Sequence, residues 1–156
     1  MRRTAFMRRA VAVSREMMEA GRGGPFGAVI VKDGRIVAEG WNKVTSANDP
    51  TAHAEITAIR AACAALGDFS LEGCDIYTSC EPCPMCLGAI YWARIGHIYY
   101  GNTRVDAARI GFDDEFLYTE IVKAPEHRKI PMSRLLKAEA RGAFEAWECK
   151  HDKIRY

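Results

Sequence analysis

Between Thr4 and about Glu19 the apolar residues Phe6, Ala10, Val13 and Met17 recur at three- to four-residue intervals, with arginines between them. That spacing predicts an amphipathic helix, and Gly21, Gly23, Gly24 and Pro25 end it. Gly27 to Val31 and Arg35 to Trp41 are rich in valine and isoleucine and flank Asp33-Gly34, a pair suited to a two-residue turn, so they predict an antiparallel hairpin. Asn42 to Pro50 is polar and turn-rich. After it, Ile56, Ile59, Cys63 and Leu66 mark one face of a helix that stops near Gly67. Asp75 to Ser79 reads as a short buried strand, Pro84 to Ala93 as a helix and His97 to Tyr100 as another strand. The alternation predicts an α/β sheet with helices packed on it. Beyond Gly101, Thr103 to Ile110 and Glu115 to Lys123 read as short helices and Ile130 to Met132 as extended. A closing helix from Lys137 to about Lys150 is expected to bury Leu136, Phe144 and Trp147.

The chain has 156 residues, enough for one domain over 1–156 with a core of its own. Its 22 Lys and Arg against 20 Asp and Glu leave a net charge of +2, which argues against a strongly basic nucleic-acid surface. Arg2, Arg3, Arg8 and Arg9 are followed by no apolar run of the kind an export signal carries, and no stretch approaches the roughly 20 apolar residues of a membrane span. A cytoplasmic protein with no membrane partner is expected. Six cysteines are present, and their clustering at 80, 83 and 86 favours metal chemistry in a reducing compartment over disulfides. Cys63, Cys74 and Cys149 read as core or surface thiols.

Two short motifs carry chemistry: His53-Ala54-Glu55 before one helix, and Pro82-Cys83-Pro84-Met85-Cys86 before another. One imidazole and two thiolates are three zinc ligands, and a site with three protein ligands keeps a fourth position for water. Cys83 is placed to cap its helix, with Pro84 in the first turn where a missing N–H costs nothing. The partial positive charge of a helix N-terminus favours thiolates. The zinc is therefore expected between two helix N-termini, one ion per chain. Glu55 reads as a non-ligand that moves protons. His-x-Glu with Pro-Cys-x-x-Cys is the established signature of zinc deaminases. A structural zinc with Cys80 as fourth ligand, or a non-catalytic zinc-stabilised module, are the other readings of these residues.

With both motifs present, the sequence resembles the cytidine deaminase superfamily, and within it the bacterial guanine deaminases. The resemblance runs through Gly24-Pro25-Phe26-Gly27-Ala28, Ser46 to Glu55, Tyr77 to Ala93, Gly111 to Phe116 and Tyr156. It implies a three-layer α/β/α fold around a mixed five-stranded sheet. It also implies hydrolysis of guanine to xanthine and ammonia, in purine catabolism, with zinc hydroxide attacking C2 and Glu55 shuttling protons. Carried over by position, Asp114 would be a second catalytic carboxylate. Phe26, Asn42, the Ala54 N–H, Trp92 and Tyr156 would line the base pocket. Without the resemblance, Asn42 reads as a turn residue, Phe26 and Trp92 as packing, Asp113-Asp114 as a helix cap and Tyr156 as a frayed end. The family further implies a homodimer in which the segment from about residue 101 is swapped, so that Asp114 and Tyr156 would serve the partner's site. Very similar short motifs occur in tRNA adenosine deaminases, and cytosine or triazine deamination would use the same zinc chemistry.

Overall fold

The computed structural model describes residues 2–156, apart from the Arg2 side chain; Met1 lies outside that description. The chain divides into two compact units, residues 1–115 and 116–156. The first unit opens with helix α1 (Arg2–Glu19), followed by β1 (Gly27–Lys32), β2 (Arg35–Trp41), the single turn α2 (Val44–Ala47) and α3 (Ala54–Leu66). It continues through β3 (Cys74–Cys80), α4 (Pro84–Trp92), β4 (His97–Asn102) and α5 (Arg104–Arg109). At the β1–β2 turn Asp33 and Gly34 take φ of 50° and 73°, the positive pair that a tight hairpin requires.

The four strands run β2-β1-β3-β4. β1 is antiparallel to both neighbours, so β2 and β3 point the same way, and β4 is parallel to β3. Parallel strands need a crossover, and α3 and α4 supply the two here. The expected mixed sheet is present with four strands among the described residues rather than five: Ile130 to Met132 forms no strand.

Both faces of the sheet are covered, which is why β1 reads as an unbroken apolar run. Ala28 and Ile30 point to one side, with Ala54, Ala58 and Ala62 of α3 and Ile90 of α4. Val29 and Val31 point to the other, with Ala10 of α1 and Tyr77. Arg9 of α1 reaches across to Glu39 of β2 at 2.7 Å, and the guanidinium holds that carboxyl below its ordinary range. The buried face of α3 is the alanine row, not the row of larger residues that the sequence pattern marks: Ile59 and Cys63 are only partly buried and Leu66 is 36 % exposed. Small residues win because α3 lies directly on the sheet. A Cβ on Gly40 would stand 2.3 Å from Ala58 N and 2.4 Å from Ala54 O. On the opposite face, a Cβ on Gly27 would stand 2.5 Å from Ser14 N of α1.

The second unit holds α6 (Glu115–Ile121, begun in the last residue of the first), a 3-10 turn over Pro125–His127, and α7 (Lys137–Cys149). Glu120 accepts the Lys129 N–H at 2.7 Å and pairs with Lys123, and Arg128 donates to the Ile121 carbonyl, tying its first half together. The expectation that α7 buries Leu136, Phe144 and Trp147 is corrected: they are 67 %, 79 % and 44 % exposed. The apolar stripe is present, and these three of its residues remain exposed.

Gly40→Ala is expected to lower stability by roughly 1–3 kcal/mol, because backbone rather than a flexible side chain blocks the new methyl. The displaced α3 should also hold zinc less well. Gly88→Ala in α4, where no atom lies within 4 Å of the added carbon, should leave stability unchanged or raise it by up to about 1 kcal/mol. Thermal melts and zinc content of the two variants check this; equal losses in both would contradict it.

Candidate metal centre and active site

The topology sets the position of the site. β2 and β3 run parallel and each is followed by a helix on the same face, so α3 and α4 begin at one end of the sheet, beyond the strand C-termini. His53 is the N-cap of α3 and Cys83 the N-cap of α4, both extended at φ −67° and −66°, with Pro84 next in the first turn. His53 O accepts the Thr57 N–H at 2.9 Å and Cys83 O the Leu87 N–H at 2.8 Å, which starts each helix. The two caps therefore face each other.

His53 Nδ1 lies 3.5 Å from Cys83 Sγ and 3.6 Å from Cys86 Sγ. A tetrahedral zinc with ordinary Zn–N and Zn–S bonds would set nitrogen and sulfur about 3.6 Å apart, so the donors fit the ion. These three form a metal-binding group whose ligand atoms lie within 4.8 Å of one another. Cys80 stands outside it, its Sγ 3.7 Å from the Thr103 carbonyl. All six cysteines are free thiols.

The electrostatics agree with metal binding. A hydrogen bond from the Cys86 thiol, with the adjacent His53 ring, draws Cys83 down to about 4. Its partner Cys86 is held protonated by the Cys83 thiolate and by burial. Cys83 in turn raises His53. A divalent cation replaces the shared proton and relieves the concentration of negative charge.

Glu55 is 6 % exposed and accepts a 2.9 Å hydrogen bond from Thr78 Oγ1. Burial raises its pKa, and the Thr78 bond opposes the rise. Thr78 escaped the sequence reading, although it lies two residues from Ile76 on the strand face that meets α3. Asp114 lies close enough for its charge to act on His53, and its own pKa is raised by burial and then by Cys83. Its Oδ1 is buried with no hydrogen-bond partner. Asp114 thus lies within electrostatic reach of the metal group of its own chain.

Asn42 is 8 % exposed just after β2, where its Oδ1 accepts the N–H of Val44, the first residue of α2, at 3.2 Å within the turn-rich segment. Phe26 packs edge-on against Phe112 with ring centroids 4.9 Å apart. Gly24 sits against Phe26, Asn42 and Phe112, since a Cβ there would meet each of them at 3.5–3.6 Å. Phe112 is a second residue missed in the sequence, visible there only as part of Gly111 to Phe116. Ala54 is buried as the first residue of α3, where the backbone N–H has no partner within the helix. Trp92 is not brought to the metal group: it is 70 % exposed at the far end of α4, about 13 Å of helix from Cys83. Tyr156 belongs to the second unit and is 74 % exposed.

A three-ligand group between two helix N-termini, with a buried carboxylate beside it, suits a catalytic zinc that keeps one position open for water. Residues 1–102 match the family model for the cytidine and deoxycytidylate deaminase zinc-binding region, and the chain belongs to that family. It is 55 % identical to the guanine deaminase of Bacillus subtilis over the full length of both proteins. An X-ray structure of that enzyme superposes with a TM-score of 0.96 at 56 % identity, covering 98 % of each chain. A tRNA-specific adenosine deaminase of Agrobacterium fabrum is 50 % identical over 64 % of each chain. No helix among the described residues is long and apolar enough to cross a membrane.

Removing a ligand should empty the site. Cys86→Ala is expected to bring bound zinc well below one per chain, whereas Cys80→Ala should keep it near one. Metal analysis after dialysis against a weak chelator decides between three ligands and four, because zinc loss in both variants would make Cys80 a ligand.

Proposed function

We propose that this protein converts guanine and water to xanthine and ammonia. The observation that carries the reading is the full-length likeness to a guanine deaminase, which extends past the zinc-binding region into residues 103–156. When bound, zinc supplies Lewis acidity that brings the deprotonation of water toward neutral pH. Glu55, desolvated beside the ligands, accepts the proton as water adds to C2 and delivers it to N3. Asp114 faces the leaving amine and relays to it the proton of the added hydroxyl, so that the C–N bond breaks with loss of ammonia and C2 becomes the carbonyl of xanthine. Two carboxylates with pKa values raised by burial suit this work, since burial eases the protonated form that each must pass through.

Binding falls to the neighbouring residues. Asn42 directs its amide NH2 toward the purine edge, because its oxygen is occupied by Val44. The Ala54 N–H contacts the base from the start of α3. Phe26, braced by Phe112, provides an aromatic face for the ring. The reaction belongs to purine catabolism, and the free, clustered cysteines support a reducing, cytoplasmic compartment.

Glu55→Gln should keep zinc near one per chain while turnover falls by about a thousandfold or more, as expected when a proton carrier is lost. Ammonia release from guanine is to be compared with adenine, cytosine, a triazine and a tRNA anticodon stem-loop. Turnover confined to the RNA would overturn the substrate, and zinc loss with the carboxylate would overturn the role of Glu55.

The protein works as a homodimer that exchanges its C-terminal segment, and Tyr156 closes the partner's pocket. Exposed apolar residues support this: Leu135, Phe144 and Ile154 are 80 %, 79 % and 72 % exposed, and a second copy would remove them from water. Glu55→Gln and Tyr156→Ala chains, each impaired alone, should recover about a quarter of wild-type activity when co-expressed, since half the dimers are hybrids with one intact site. Absence of recovery would place Tyr156 in the site of its own chain.

A further inference from the structure

Glu81 lies two residues before Cys83, half-buried where the chain leaves β3. Its backbone N–H donates to the Asn102 carbonyl at 2.8 Å, and its Oε2 accepts the N–H of Arg104 at 3.0 Å. Arg104 is the first residue of α5, whose N-cap Thr103 forms a reciprocal capping box with Asp106. The other end of α5 is as firmly closed. The N–H groups of Ile110 and Phe112 both reach the Ala107 carbonyl, at 3.1 and 3.0 Å, and Gly111 turns the chain at φ +90° while donating to Ala108 at 3.0 Å. Asp114 follows two residues later.

A hydrogen-bonded path thus runs from the metal-ligand loop through α5 to Phe112, two residues before Asp114. Glu81 is the charged side-chain link at its origin; the parallel contact from Cys80 Sγ to Thr103 O is a long, weak thiol bond at 3.7 Å. In charge terms Glu81 is unfavourable here, because it acts against Asp114 and against Cys80. The charge-assisted bond to the Arg104 N–H offsets that cost, satisfying a helix N–H that has no partner within α5.

We propose that Glu81 is a positioning residue of this site: its carboxylate anchors the start of α5 and thereby fixes Asp114, and with it Phe112, relative to the metal ligands. The inference rests on the deaminase reading for the role of Asp114, but the anchoring itself does not. An amide with its oxygen in the same place can accept the Arg104 N–H, whereas a methyl group cannot, so the conservative variant separates the hydrogen bond from the charge.

The test uses zinc-loaded full-length Glu81→Ala and Glu81→Gln beside the wild type. Amide hydrogen exchange needs no substrate: Glu81→Ala should speed exchange over residues 104–114 by about tenfold or more, with Glu81→Gln within about threefold of wild type. With guanine, kcat of Glu81→Ala should fall about ten- to a hundredfold at nearly unchanged KM and zinc content, and Glu81→Gln should recover most of it. Adding Asp114→Asn to Glu81→Ala should then cost much less than it does in wild type. Wild-type exchange in Glu81→Ala, a Glu81→Gln variant as damaged as the alanine, or loss of zinc from either would each overturn the proposal. A wild-type enzyme inactive on guanine would overturn the substrate reading instead, and the exchange data would still decide the case of Glu81.

Discussion

The contact on which the site depends most is between backbones, where α3 crosses β2 at Gly40 with no room for a Cβ. A helix seated on side chains can shift as those side chains change rotamer, but one seated on peptide groups has a fixed height and register. Thr57 adds to this by donating to the Trp41 carbonyl at 2.9 Å. With α3 fixed in this way, its N-cap His53 and first-turn Glu55 are fixed too. The parallel direction of β2 and β3 then brings the start of α4, and so Cys83 and Cys86, to the same end of the sheet. The metal ligands come from segments 30 residues apart in sequence, yet both are set by the ends of strands in one rigid sheet.

At that end the protein gathers a thiolate, a second thiol and two desolvated carboxyl groups, an arrangement that opposes folding in the absence of a cation. Two helix N-termini offset part of it, each worth a fraction of a kcal/mol to about 2 kcal/mol for a nearby anion. The remainder appears as displaced proton equilibria: Glu55, Asp114, Cys80 and Cys86 are all pushed toward their neutral forms, while Cys83 alone is pulled toward its anion. Such a site binds zinc through the same free energy that the empty site lacks, and zinc affinity and stability are coupled. Raised carboxyl pKa values are also what proton transfer at neutral pH requires, so one set of desolvated groups serves both metal binding and acid–base work.

Much of this was legible in the sequence where local chemistry decides. Asp33-Gly34 dictated its turn, Pro84 and Gly67 the start and end of their helices, and His53, Cys83 and Cys86 the metal group. Reading failed where the decisive partner is distant. The buried row of α3 is alanine because of Gly40, and nothing within residues 54–66 announces that. Thr78 is an ordinary strand residue until Glu55 is placed opposite it, and Phe112 an ordinary loop aromatic until it meets Phe26. The helical periodicity of α7 was read correctly, but its stripe is not buried, since periodicity records that a face wants a partner and not where the partner is.

The division between shared and particular chemistry follows the same line. The zinc-binding region common to the deaminase family ends at residue 102 and holds His53, Glu55, Cys83 and Cys86, the residues that in the proposed mechanism activate water beside an aminated ring. What they lack is any means of choosing that ring. Phe112, Asp114 and Tyr156 all lie beyond that boundary, in segments outside the helices and strands. An oxygen such as Asp114 Oδ1, buried with no protein partner, carries a desolvation cost that only a hydrogen-bond donor entering the site can remove. The exocyclic amine of a purine is such a donor. A ring that offers no donor at that point would leave the cost in place, so an unsatisfied oxygen there would favour aminated rings as a class, and the choice among them falls to other contacts.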